Sequence, residues 1–285
     1  MGDKLSSLEW LPDAVDSSAG ASANGHHGFS KSALISALRY LRNTALNAVF
    51  PHTCPVCDVC LQGDAGLCLP CWQQMDLISP PFCERLGTPL YCDLGPNAWS
   101  AAALVNPPDY ARARAAALYN GPARTLVRQF KFNGQPKLAR FLAHCMLRAS
   151  RELVEAGTIL IPVPLHRARL RQRTYNQAAL LAYEIGKAFG CKVIADGLSR
   201  TRKTIQQVGL KRAARAQNVK GAFAISDQFM PYVSGAHIVL VDDVLTTGAT
   251  VEECTRILKS AGARQVDVLV FALVDPEHGK SDSLG

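Results

Sequence analysis

At 285 residues, with 48% apolar side chains and a mean hydropathy of +0.04, the chain has room for one full globular domain plus something smaller. No stretch reaches the roughly 18 unbroken apolar residues of a membrane-spanning helix, and no apolar leader core follows Met1, so a cytoplasmic protein without a membrane span is expected. The net charge of +8 and pI of about 9.0 predict an anionic partner but do not choose among small phosphates, nucleic acid and a membrane surface.

In chain order, residues 1–30 are rich in Ser, Gly, Ala and Asp without periodicity, which predicts a disordered tail. Leu34, Ile35, Leu38, Leu41, Leu46 and Val49 recur at helical spacing, which predicts an amphipathic helix over 31–50, capped by Ser32 and stopped by Pro51. Lys31, Arg39 and Arg42 on that helix leave a membrane-surface role open, although packing onto its own protein is favoured.

Residues 51–95 carry little regular pattern but seven of the ten cysteines. Cys54-Pro55-Val56-Cys57 and Cys68-Leu69-Pro70-Cys71 form two CxxC pairs, the spacing at which four thiolates hold a tetrahedral Zn²⁺. Four protein ligands leave no position for a substrate, so this zinc is expected to be structural. Cys60 breaks the paired spacing. Cys83 and Cys92 lack CxxC partners, with Leu86 and Gly95 in those places, and a second zinc is not expected. No internal repeat is visible.

From about residue 110 the texture becomes that of an α/β domain reaching to 275, before a last disordered tail over 276–285. Strands are expected at Ala115–Tyr119, Thr158–Val163, Cys191–Ile194, Ala222–Ile225, His237–Val241 and Val266–Val274. Helices are expected at Pro122–Phe132, Leu138–Ala156, Asn176–Phe189 and Ala249–Ala261. Short apolar strands alternating with helices predict a parallel sheet with helices on both faces.

The sharpest chemical signal is His237–Val241 followed by Asp242, Asp243, Val244, Leu245, Thr246, Thr247, Gly248, Ala249 and Thr250. An apolar strand runs into two acids, then a turn of small hydroxyl residues, then a helix. Such a turn sits at the carboxyl end of a strand, where open α/β sheets bind ligands. Free backbone N–H groups and the helix dipole favour an anion there. Two carboxylates beside an anion are tolerable if they face hydroxyl groups or a hard cation, a condition that a phosphorylated ribose with Mg²⁺ satisfies.

A second strand end, Pro162-Val163-Pro164, opens a loop rich in arginine, and Pro164, Arg171, Arg173 and Asn176 there are the candidates for holding a pyrophosphate. From Pro164 to Lys220 there are thirteen Lys and Arg against Glu184 and Asp196, so the basic character is concentrated in this region. Arg202, Lys203 and Gln207 lie in a polar, basic stretch that suits either a hood over the sugar site or a track for a nucleic-acid backbone. Arg200–Gly221 contains no aromatic residue, which counts against a dedicated base-stacking platform.

VLVDDVLTTGAT resembles the phosphoribosyl-diphosphate (PRPP) signature of the type I phosphoribosyltransferase fold. The resemblance implies that Asp242 and Asp243 serve the ribose hydroxyls and that Leu245–Thr250 wrap the 5′-phosphate. Thr246 replaces the Asp that 6-oxopurine transferases use on the base, so that activity is not expected. The order of further motifs is similar to that of the ComF family, linked to competence for DNA uptake: the two CxxC pairs with Trp72, Phe130-Lys131-Phe132, Pro162-Val163-Pro164-Leu165, Arg173-Thr174-Tyr175-Asn176-Gln177, Gln207, Asn218, Gly221-Ala222-Phe223 and the VDDVLTTGAT turn. That resemblance implies a zinc ribbon before a phosphoribosyltransferase-type domain binding PRPP or a related ribose 5-phosphate. Two functions follow from it. One is an enzyme transferring the phosphoribosyl group. The other is a non-catalytic module for single-stranded DNA or 5′-phosphorylated ends, working with a helicase.

Overall fold

In a computed structural model, the residues described are 53–61, 66–132, 136–166, 170, 171, 173, 175–202 and 219–275. All of them lie within the unit His52–Gly285. The expected tails, the helix over 31–50 and the hood residues Lys203 and Gln207 lie outside the described residues.

Five strands form one parallel sheet: β1 Ala113–Leu118, β2 Ile159–Pro162, β3 Lys192–Val193, β6 His237–Leu245 and β7 Gln265–Leu273, in the order β1-β7-β6-β2-β3. Alternation within the two longest strands explains why both faces are covered. Val239, Val241, Leu269 and Phe271 point into one core, while Ile238, Leu240, Val268 and Val270 point into the other. Helices α3 Gly121–Phe132, α4 Leu138–Ser150 and α5 Gln177–Phe189 fill the first core with Leu126, Phe130, Leu142, Met146, Leu181 and Ile185. Helix α7, Ala249–Ser260, closes the second with Val251, Cys254 and Leu258. The α/β architecture expected from the strand–helix alternation is therefore present.

Two boundaries differ in ways that matter. The expected strand His237–Val241 continues to Leu245, because Asp242, Val244 and Leu245 still pair with Val270, Ala272 and Leu273 of β7. Both acids are thus part of a paired strand and not of the turn after it. The expected helix Leu138–Ala156 stops at Ser150, whose carbonyl accepts from the backbone N–H groups of Leu153 and Val154 and turns those two residues inward. The short antiparallel pair β4 Leu198–Arg200 and β5 Phe223–Ile225 includes a strand, β4, that its polar composition did not signal.

The cysteine region corrects the expectation of no internal repeat. It folds as two lobes of the same backbone design. In the first, Thr53 bridges Cys60, Cys54 N–H bonds Val59 O, and Asp58 sits at φ 59°. In the second, Phe82 bridges Pro89, Cys83 N–H bonds Thr88 O, and Gly87 sits at φ 70°. Each lobe ends in a short helix, α1 Leu69–Gln73 after the N-cap Cys68 and α2 Ala101–Val105 after the N-cap Ser100. The repeat is invisible in sequence because only one of the second lobe's knuckle positions keeps a cysteine.

These lobes share the core of the sheet domain. Cys54, Leu67, Cys71 and Met75 are buried with the helices α3 and α4. The segment joining the lobes lies along β1, with Leu77 bridging Ala117 and Leu118 N–H bonding Asp76 O. Arg114 of β1, almost wholly buried, pairs with Glu84 of the second lobe and Glu152 beyond α4. A Cβ on Gly87 would lie 2.4 Å from Ala113 O, so this approach needs glycine as well as the positive φ.

Candidate phosphoribosyl and metal sites

Asp242 and Asp243 lie within β6, near its carboxyl end. Asp243 is 5% exposed, and its Oδ1 is 2.8 Å from the ammonium of Lys131, at the end of α3. Asp242 is half-buried and accepts the backbone N–H of Asp243 at 2.8 Å. Burial first, and then the charge of Asp243, push the Asp242 carboxyl up to about 7, against the opposing pull of Lys131 and Arg173. The pair is short of positive charge even with a lysine in place. Two carboxylates so placed are hard oxygen donors and fit Mg²⁺.

The turn after β6 leads directly into the start of α7. Gly248 adopts φ 81° as the N-cap of α7, a backbone state that a Cβ would strain. Thr246 is exposed, while Thr247 tucks its Oγ1 into the fold, where it has no hydrogen-bond partner among the described residues. A buried hydroxyl without a partner is costly, and a phosphate oxygen at this helix start would satisfy it. Val244, Leu245, Ala249 and Thr250 complete the segment, with Leu245 and Ala249 buried.

Strand β2 pairs with β6, and Val163 N–H bonds Val241 O at 2.9 Å, so the loop from Pro164 starts beside the acid pair. Pro164 is buried and Arg171 is exposed. Arg173 donates to Gln177 Oε1 at 3.2 Å and lies over the ring of Phe132, 5.2 Å from its centroid. Asn176 is the N-cap of α5: its Oδ1 accepts from Ala178 N and its Nδ2 donates to Val163 O. That side chain is committed to holding the loop, which makes it a positioning residue. Arg202 is exposed and donates to Lys220 O at 2.9 Å, near the base of β4 and β5.

The pairing of Lys131 with Asp243 is the feature of this candidate site that the motifs do not signal. Lys131 entered the sequence reading only as the middle of Phe130-Lys131-Phe132, and nothing in its local pattern tied it to an acid more than a hundred positions later. A single cation between two aromatics at a helix end was the available signal.

In the first lobe the sulfurs of Cys54, Cys57, Cys68 and Cys71 lie within 4.8 Å of one another, with Cys57 and Cys68 3.5 Å apart. Tetrahedral Zn–S bonds of about 2.3 Å put sulfurs roughly 3.8 Å apart, so the cluster fits zinc. Burial opposes a Cys54 thiolate, but backbone N–H groups of Cys68, Val56 and Cys57 outweigh it and bring its pKa down to about 6. Burial and the neighbouring sulfurs push Cys71 up, as expected for thiols awaiting a cation. In the second lobe the corresponding positions are Cys83, Leu86, Ser100 and Ala103. Cys83 Sγ accepts from Leu86 N at 3.4 Å and Ser100 N at 3.2 Å, so backbone donors occupy the sulfur. Cys60 and Cys92 are exposed and outside the cluster.

A double zinc ribbon domain matches residues 45–102, and a phosphoribosyl transferase domain matches residues 182–284. Competence protein F of Haemophilus influenzae is 32% identical over 212 residues, covering 71% of this chain and 88% of that protein. The chain belongs to the competence protein F family. DNA utilization protein YhgH of Escherichia coli strain K12 is 31% identical over 224 residues, 76% of this chain and 95% of that protein. Competence protein ComFC of Bacillus subtilis is 24% identical over 222 residues, 75% of this chain and 86% of that protein. Within this family the chain keeps both ribbon lobes as backbone but a full set of four cysteines only in the first. Among the described residues no helix is long and apolar enough to cross a membrane.

Proposed function

We propose that this competence protein F family member binds PRPP with Mg²⁺ and acts in the handling of DNA taken up by the cell. The observation that carries the ligand is the Thr247 hydroxyl, buried and without a partner among the described residues, beside Gly248 at the start of α7 and next to an acid pair short of positive charge. The 5′-phosphate sits at Thr246, Thr247 and Gly248, and Asp242 and Asp243 accept the ribose 2′- and 3′-hydroxyls. The loop from Pro164 through Arg171 and Arg173 faces the pyrophosphate. When bound, Mg²⁺ supplies the charge that lets pyrophosphate approach and leave. Transfer, where it occurs, breaks the bond from C1 to the pyrophosphate oxygen and forms one from C1 to an acceptor, with the two aspartates beside the cationic sugar. Thr246 offers no acid–base group for a purine.

Thermal unfolding with a ligand series tests this reading, since a ligand of the folded state raises the melting temperature. PRPP with Mg²⁺ is expected to stabilise the protein more than ribose 5-phosphate or pyrophosphate alone. Equal or absent shifts with all three contradict it.

A binding role toward single-stranded DNA is favoured by a different observation, the exposed aromatic rings of Trp72, Tyr91 and Trp99 on the ribbon lobes. Bases stack on exposed rings of this kind with little sequence preference, although the described lobe residues carry Arg85 against Asp58, Asp76, Glu84 and Asp93. Affinity that falls steeply with salt supports this role, and affinity flat in salt contradicts it.

A further inference from the structure

Phe130-Lys131-Phe132 ends α3 in an anchored arrangement. The carbonyl of Phe130 accepts from Tyr175 Oη at 2.9 Å and from Gln177 Nε2 at 3.4 Å. The buried Phe130 ring packs on Tyr175, and the Phe132 ring lies under Arg173. The helix end is therefore tied on both sides of Lys131 to the loop assigned to pyrophosphate. Lys131 itself points the other way in charge terms, to Asp243. The end of α3 thus joins the ribose half of the site, through Lys131, to the pyrophosphate half, through Phe130 and Phe132. Exposed ion pairs rarely repay the ordering of a long side chain, but this lysine is itself partly buried. Here the acceptor is an almost fully buried carboxylate, and a buried charge is costly unless it is paired.

We infer that Lys131 is an internal cation of the empty site, excluding bare divalent metal from Asp243 and moving its ammonium onto the ligand's pyrophosphate when PRPP brings its own Mg²⁺. The inference rests on the reading of the acid pair as a ribose and Mg²⁺ site. It gives two adjacent acids a countercharge in the free protein. It also makes entry of the metal conditional on entry of the sugar phosphate.

The test uses the full, zinc-loaded chain and two titrations. The first follows Mn²⁺ alone by electron paramagnetic resonance; the second follows PRPP with Mg²⁺ by calorimetry. Lys131→Met is expected to bind Mn²⁺ at least tenfold more tightly than wild type, and to lose that gain when Asp243→Asn is added. The same Lys131→Met chain is expected to bind PRPP at least tenfold more weakly. Opposite changes in the two titrations distinguish an exchanging cation from a lysine that only supports the fold. Mn²⁺ affinity unchanged or lowered in a Lys131→Met chain with wild-type melting overturns the inference. If Lys131→Met does not fold, Lys131→Arg keeps the charge and must still exclude Mn²⁺; tighter Mn²⁺ binding by that variant overturns it equally. Wild type that binds no PRPP overturns the ligand reading and with it the transfer to pyrophosphate, while the Mn²⁺ titration still decides the internal cation.

Discussion

Asp243 donates its backbone N–H to the side chain of Asp242 at 2.8 Å, and that bond joins two acids inside a paired strand. The contact holds Asp242 where burial and its neighbour's charge raise its pKa to about 7. A raised carboxyl pKa in the folded state means stability that is fully present below the unfolded value near 4 and declines as pH rises toward 7. Asp242→Asn is therefore expected to stabilise the free protein at pH 8 by about 1–3 kcal/mol, with most of the gain gone by pH 5. Urea denaturation at the two pH values checks it, and a gain independent of pH contradicts the assignment.

The same ionisation sets the pH dependence of ligand binding. A ribose with Mg²⁺ requires the charged carboxylate, so PRPP affinity is expected to fall by up to tenfold per unit as pH drops below 7. Binding near pH 6.5 is expected to release a proton, seen as a binding heat that varies with the ionisation enthalpy of the buffer.

Thr247 offers a cleaner separation of stability from binding. Its buried Oγ1 has no partner among the described residues, so replacing it by a methyl group removes an unsatisfied oxygen. Thr247→Val is expected to leave stability unchanged or raise it by up to about 1 kcal/mol while weakening PRPP by roughly tenfold. A destabilised variant that binds PRPP normally contradicts the phosphate role.

The ribbon lobes predict one zinc per chain rather than two. Metal analysis is expected to give a single equivalent that Cys83→Ser leaves in place and Cys54→Ser abolishes. Because Cys54 and Cys71 belong to the core shared with α3 and α4, chelation is expected to lower the melting temperature of the sheet domain too. Two equivalents of zinc, or a melt indifferent to chelator, contradict this arrangement.

At the opposite end of the sheet, buried Asp267 accepts from Arg112 at 2.9 Å and lies 3.0 Å from His237 Nε2. Burial works against its charge, but His237 and Arg112 outweigh it and hold the carboxyl below its ordinary range. That contribution is present above pH 4 and lost as pH falls further. Asp267→Asn is expected to cost about 3–5 kcal/mol at neutral pH and less as pH falls below 4, since it leaves buried His237 and half-buried Arg112 unmatched.

Much of this was legible in the chain. Strand–helix alternation gave the parallel sheet, and CxxC spacing located the sulfurs that cluster. The acid pair and its Thr-Gly turn stood out because their composition is local. The expected strand nonetheless ends at Val241, before Asp242 and Asp243, because aspartate argues against strand and the partner β7 that overrides it is known only from the fold. The second lobe was missed because its backbone repeat survives on a left-handed Gly87 and a helix cap at Ser100, without the cysteines that mark the first. Lys131 was missed since its partner is distant in sequence. Long-range ion pairs leave no local periodicity to read.

The most direct test of the central claim is calorimetric titration of the zinc-loaded chain with PRPP in the presence of Mg²⁺. A single site is expected, dependent on Mg²⁺, and lost when Asp242→Asn and Asp243→Asn are combined in a chain that still melts cooperatively. No heat with wild type, or the same heat with the double variant, contradicts the assignment of this turn as a phosphoribosyl site.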